Sequence, residues 1–272
     1  MSELYDRRVE LEVVAGGISR RWQGLDVSFS VQQTAGSEPN RAEILVYNLS
    51  EDSRRMVSDA GAVVRLRAGY PSTIALLFQG DIDEASSERE GPDVVTRIVG
   101  ADGGAAIRRT VVSVARAEDT PVNTVIGDIL AAFGLDRGSV ATVSGTFKQG
   151  LSVVGKAADL LDEVCASQGQ RWSVQDGAVQ IHPAGSATPA PVIVLSSTSG
   201  LVGVPRRQVD RAAGDAVVRR GVQLRSLLQP EIRPGRRIRV VSEWVPGDFV
   251  VEKVRHVGSV FGPEFYSEIE AY

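Results

Sequence analysis

Asn40-Arg41-Ala42-Glu43-Ile44-Leu45-Val46-Tyr47-Asn48-Leu49-Ser50 alternates through its middle. In an extended chain Ala42, Ile44 and Val46 fall on one face and Glu43, Leu45 and Tyr47 on the other, so this strand covers a core on one side only. Ser50-Glu51-Asp52-Ser53-Arg54-Arg55-Met56-Val57-Ser58-Asp59-Ala60-Gly61 follows, with a capping Ser, two acids in the first turn and a terminal Gly. That is one short helix inside a β module.

Outward from this point the first hundred residues keep a period of two, broken by Gly and charged turns. Strands are expected at 9–14, 25–31, 42–47, 63–67, 76–82 and 94–99. From about residue 118 the spacing becomes helical. Asp119-Thr120-Pro121 offers an N-cap and a first-turn Pro, and Val122, Val125, Ile126, Ile129, Leu130 and Phe133 form one apolar stripe that Gly134 ends. A second helix is expected over 153–167, closed by Gly169. Strands at 170–174 and 178–182 then flank Gln175-Asp176-Gly177, whose Asp-Gly pair signals a tight hairpin. The proline-studded stretch 183–191 reads as a linker. Beyond it strands return at 192–195, 216–222, 237–241, 248–257 and 265–272. The segment 206–215, poor in apolar residues, reads as an exposed loop that orders against a partner.

Both β regions share an order of elements. Tyr47-Asn48-Leu49-Ser50 leads to Gly61 and Val63-Val64-Arg65-Leu66-Arg67; Leu227-Leu228-Gln229-Pro230 leads to Gly235 and Arg236-Arg237-Ile238-Arg239-Val240. A structural module present twice in one chain explains the echo.

Composition narrows the function classes. The 272 residues suffice for two or three small modules, and 43% hydrophobic with 24% charged residues is the balance of an ordinary folded protein. A net charge of -4 argues against a surface that tracks phosphates, and no apolar run approaches a membrane span, so neither nucleic acid nor a stable membrane association is expected. The N-terminal Met1-Ser2-Glu3-Leu4-Tyr5-Asp6-Arg7-Arg8 lacks an apolar signal core, and the single Cys165 forms no internal disulfide, which points to folding in the cytoplasm. Cations are almost all Arg. Arg suits carboxylates across interfaces, though a GC-rich genome produces the same bias.

Cys165 with His182 or His256 is the one thiol–imidazole combination, but Cys165 sits on an apolar helix face, and both histidines read as polar edge residues. Two distant histidines and one cysteine offer no zinc site. Asp81, Asp83, Glu84 and Glu88 read as a charged hairpin end rather than a glycosidase pair, and Gly100-Ala101-Asp102-Gly103-Gly104 lacks the residues of a phosphate loop and reads as a turn. A peptidoglycan-degrading enzyme and a carbohydrate-binding or adhesive β module stand as alternatives. Aromatic content of 6% is thin for sugar binding, and Trp172 and Trp244 are expected in the core.

The stretch 40–50 resembles the early strand of baseplate hub proteins of tailed phages, N-x-A-x-I-x-V-Y-N-L-S. Leu228-Gln229-Pro230-Glu231-Ile232-Arg233-Pro234-Gly235 and Gly247-Asp248-Phe249-Val250-Val251-Glu252-Lys253-Val254-Arg255-His256-Val257-Gly258 are similar to their closing region. The resemblance implies a mainly β fold with an α+β insertion: two tail-tube-like split β-barrel modules, 1–117 and 185–272, flanking a small α+β domain, 118–184. It further implies a non-catalytic homotrimer with pseudo-sixfold symmetry at the virion tail tip, without cofactor or metal, assembled in the host cytoplasm. Its expected partners are the tail-tube protein and the central spike, with the tape-measure protein and baseplate wedge as further neighbours. Arg65, Arg67, Arg206, Arg207, Arg211, Arg237 and Arg239 are the candidate interaction residues. For any one of Arg65, Arg67, Arg237 and Arg239 an ordinary solvated strand face is the simpler account.

Overall fold

A computed structural model of the chain describes residues 6–211 and 218–272; for 210, 211 and 218 the description is of backbone alone. The chain opens with β1 (Arg8–Ala15), β2 (Ile18–Gln23), β3 (Val27–Thr34), β4 (Arg41–Tyr47), α1 (Glu51–Val57), β5 (Val63–Gly69), β6 (Ala75–Glu90) and β7 (Asp93–Ala101). Ala42, Ile44 and Val46 are buried on one face of β4, as the alternation demands. Ser50 caps α1 by accepting the Ser53 N–H at 3.3 Å, and Asn48 takes a left-handed turn (φ 59°) just before it. β6 runs to Glu90, so Glu88 lies near the end of the β6–β7 hairpin while Asp81, Asp83 and Glu84 lie further back along the strand. Asp81 accepts the Ala105 N–H at 3.0 Å and Asp83 holds Arg108 with two bonds of 2.6 and 3.2 Å, which docks the next helix.

The middle comprises α2 (Gly104–Arg109), β8 (Val111–Arg116), β9 (Thr120–Pro121), α3 (Val122–Phe133), β10 (Asp136–Val140), β11 (Thr146–Phe147), β12 (Leu151–Lys156), α4 (Ala157–Ser167), β13 (Gln170–Gln175) and β14 (Ala178–Pro183). The α3 stripe is buried as read, and Gly134 ends it in the left-handed conformation. The turn read in 100–104 forms at Asp102 and Gly103, and Gly104 then opens α2. One expectation is corrected here. Residues 151–156 form a strand paired with β8, and the helix begins only at Ala157. β-Branched Val153 and Val154 followed by Gly155 disfavour a helix, and β8 supplies the missing partner. Asp176 and Gly177 both have positive φ (55° and 82°), the geometry of the two-residue hairpin.

The last third comprises β15 (Ile193–Leu195), β16 (Leu201–Arg211), β17 (Val218–Leu227), β18 (Arg237–Val240), β19 (Gly247–Ser259) and β20 (Phe265–Ala271). The expected loop at 206–215 is therefore strand as far as Arg211, antiparallel to β17; its remainder lies outside the described residues, as do 216 and 217 of the expected strand 216–222. Pairing with β17 overrides the low apolar content.

Strand order reveals a repeat. The first part reads β3-β4-β7-β6-β5-β1 and the last β16-β17-β20-β19-β18-β15, with chain order matched throughout. β2 has no counterpart, and β15–β18 is parallel where β1–β5 is antiparallel. A one-residue irregularity falls at the same place in both, between Ile82 and Glu84 of β6 and between Val251 and Lys253 of β19. Aligned on it, buried Ile98 matches buried Ile269, and Thr96 matches Ser267. Arg65 then matches Arg239, the same match that setting Gly61 on Gly235 gives.

The repeats join as one sheet. β19 is long: its first half pairs β18 and its second half pairs β3, from Lys253 opposite Thr34 to Ser259 opposite Ser28. Gly258 is required in this seam, because a Cβ there would stand 2.3 Å from Cζ of Phe29. Buried Leu228 and Phe265 of the last third belong to the same apolar cluster as Val13, Ile44 and Phe78 of the first. A second cluster surrounds α3, α4 and Trp172, and a third contains Leu195, Ile238, Val254 and Ile269.

Candidate functional site

The seven candidate arginines do not converge. Arg65, half-buried on β5, donates Nε to Gln79 Oε1 at 2.8 Å and lies 3.8 Å from Glu12. Its counterpart Arg239 grips Asp248 with two bonds of 2.7 and 3.0 Å, which lowers the Asp248 carboxyl below its ordinary range. Arg67 and Arg237 are exposed on β5 and β18. Arg206 and Arg207 are exposed on β16, at the end of the sheet; the side chain of Arg211 lies outside the described residues. Thus the repeat-related pair, Arg65 and Arg239, is engaged within its own chain, and Arg206 and Arg207 stand on a free edge.

That edge carries a feature that the sequence reading missed. Val202, Val204 and Val209 of β16 are 41, 58 and 56% exposed. Pro205, which has no N–H to offer, sits in the irregular stretch between Val202 and Arg206. Among the described residues nothing pairs the outer side of β16, and an apolar strand edge of this kind invites another strand. A second edge without a partner among the described residues lies in β6, which pairs β5 only as far as Asp81 and from Glu84 to Glu90 pairs β7. The signal for both was the length of the strands, which turn residues and charges obscure.

The sheet face turned away from the core is charged. Arg97 bridges Glu43 (2.6 Å) and Glu84 (3.1 Å), and Glu268 accepts from Arg225 (2.7 Å) and Arg255 (3.5 Å). Such exposed pairs are screened by water and salt, so they shape the field of the face more than its stability.

Polar groups inside the fold fix the middle unit to the sheet. Asn40 donates to the Val174 carbonyl and to Gln175 Oε1, both at 2.9 Å, while its own Oδ1 accepts the Thr34 N–H at 2.9 Å. Buried Asp102 accepts the N–H groups of Asp176 (2.6 Å) and Gly177 (2.8 Å). Loss of water and the neighbouring Asp176 nevertheless push its carboxyl up to about 7. Arg233 completes the clamp, donating to Asp176 and to the Leu76 carbonyl.

Cys165 and His256 are structural in setting. Cys165 is buried and its thiol is pushed up to about 12 by burial and Asp162. His256 is not an edge residue: it is fully buried, and burial holds it down to about 3. Its Nε2 donates to the Ile232 carbonyl (3.1 Å), which leaves Nδ1 to accept from Ser267 (2.8 Å). Trp172 is in the core, whereas Trp244, expected there, is 66% exposed beyond β18. Among the described residues no group of three or more His, Cys, Asp or Glu is placed to hold a metal, and no helix is long and apolar enough to cross a membrane.

Solved structures share this sheet of repeated modules. The 43 kDa tail protein of prophage MuSo2 from Shewanella oneidensis superposes with a TM-score of 0.69 at 11% identity, covering 97% of this chain and 98% of that one. The tail protein from Neisseria meningitidis MC58 gives 0.69 at 10%, covering 98% and 96%. The E. coli c3393 protein, a type VI secretion component described as structurally similar to T4 tail proteins gp27 and gp5, gives 0.66 at 12%, covering 95% and 76%. The fold is that of phage-type tail proteins. Residues 8–271 match the baseplate hub gp41 family, and the chain belongs to it. No curated protein matches the sequence.

Proposed function

We propose that this chain is a structural, non-catalytic hub subunit: three copies form a pseudo-sixfold ring that joins the tail tube to the central spike. The observation that carries the reading is the repeat, in which one strand order occurs twice and is joined by main-chain pairing of β3 with β19. Three chains then present six similar modules, which lets one ring face a sixfold tube on one side and a threefold spike on the other. Within each chain the division is a first β module ending with β7, an α+β unit from α2 to β14 and a second β module from β15 on. The likeness of the fold to a protein described beside gp27 and gp5 supports a place at the tail tip. The tube protein, the spike and further copies of the chain are its partners there, the tape-measure protein and baseplate wedge its further neighbours, and assembly takes place in the host cytoplasm. A buried thiol held protonated and a buried neutral imidazole speak against nucleophilic chemistry at Cys165 and His256. Negative-stain imaging of the purified protein tests the proposal. Rings with threefold averages are expected; a monodisperse monomer, or hydrolysis of cell-wall sacculi at substoichiometric protein, contradicts it.

A further inference from the structure

The repeat does more than count modules: it specifies where the next copy binds. Inside one chain, β3 of the first repeat covers the second half of β19. The counterpart of β3 is β16, and the counterpart of the second half of β19 is residues 84–90 of β6. Among the described residues both are unpaired on the relevant side, so these residues contain one seam and the two separated halves of another.

We infer that β16 of one copy pairs antiparallel with residues 84–90 of β6 in the next copy, in the register of the β3–β19 seam. This rests on the ring reading and supplies the contact that reading leaves open. The register follows from residue matches. In the seam Val257 faces Ser30. Val257 lies five positions beyond Glu252, the extra residue of β19, as Glu88 lies five beyond Asp83 in β6. Ser30 faces Glu43, whose counterpart Gln223 faces Arg206. Glu88 of one copy therefore faces Arg206 of the next, with Ser87 opposite Arg207, Ser86 opposite Gln208 and Ala85 opposite Val209.

Side-chain chemistry agrees with this placement, which was fixed by backbone register alone. An exposed carboxylate meets an exposed guanidinium, a favourable cross-strand pair. Val209, 56% exposed in the single chain, falls opposite Ala85 on the face that elsewhere covers the core. Glu84, opposite position 210, is already neutralised by Arg97 of its own chain at 3.1 Å. The two edges differ from one another, so the contact is head-to-tail, the kind that closes into a ring. Main-chain pairing of this type gives affinity, and the alternate side chains give register.

Disulfide trapping in the full chain tests the register. The double variant Glu88→Cys with Arg206→Cys, with Cys165 retained because it is buried, is oxidised and run on a non-reducing gel. A ladder that shifts to covalent trimer and collapses under dithiothreitol is expected. The pair Glu88→Cys with Gln223→Cys, one strand further in, is expected to give no ladder. If imaging shows threefold rings but the 88–206 pair never cross-links, or the 88–223 pair cross-links equally well, the strand pairing is overturned and the hub reading stands. If the unsubstituted protein is a monomer at every concentration, both fall.

Discussion

Phe29 of β3 and Phe265 of β20 meet edge to face, ring centroids 6.3 Å apart at 73°, across the line where the two repeats join. Tyr70 meets the other side of Phe265 at 5.5 Å. One aromatic cluster thus bonds the beginning of the chain to its end, beneath the hydrogen bonds of the seam.

Truncation of Phe265 to Ala leaves a cavity at that junction and removes both ring contacts. A loss of about 3–5 kcal/mol is expected in urea denaturation followed by fluorescence. A change below about 1 kcal/mol would mean that the seam is held by its strands alone.

Asn40 satisfies groups on both sides of the contact between sheet and middle unit. Asn40→Ala strands the Thr34 N–H and the Gln175 amide oxygen in the interior, at a cost of about 2–4 kcal/mol. The α3–α4 unit is expected to loosen first. Hydrogen exchange should therefore rise in 170–183 before it rises in β4, and a uniform rise would contradict the placement.

Asp102 and His256 give stability opposite pH dependences. The folded carboxyl of Asp102 titrates near 7 against an ordinary 3.8, so its contribution is complete below about 4 and lost as pH rises through 7, by up to about 4 kcal/mol. Asp102→Asn should remove that slope between pH 5 and 8 in thermal melts. His256, held near 3 against 6.5, contributes above about 6.5 and is lost as pH falls toward 3. His256→Gln should be less stable at pH 8 and flatter between pH 6 and 4. Unchanged slopes in either variant would assign the pH dependence to other groups.

Much of this fold is legible locally. The alternation of 42–47, the α3 stripe and the Asp-Gly hairpin are short-range patterns, and each forms as read. What stays hidden depends on partners far along the chain. β16 is an edge strand interrupted by Gly203 and Pro205, so it needs no apolar alternation, and the outer half of β6, exposed on both faces, needs none either. His256 is read as an edge residue because its burial depends on Ser267 and on the Ile232 carbonyl, which only tertiary structure brings to it. The same holds for the candidate surface. Arg206 and Arg207 are legible as exposed cations, but Val209 and Glu88 gain meaning only once the repeat is aligned through its irregularity at Asp83 and Glu252.

The mass of the native assembly tests the central claim most directly. One chain is 29.0 kDa. Native mass spectrometry of the purified protein across a concentration series should give a species of three chains, dissociating to single chains without a stable dimer, as a closed head-to-tail ring requires. A symmetric dimer as the end state, or a single chain at every concentration, would contradict it.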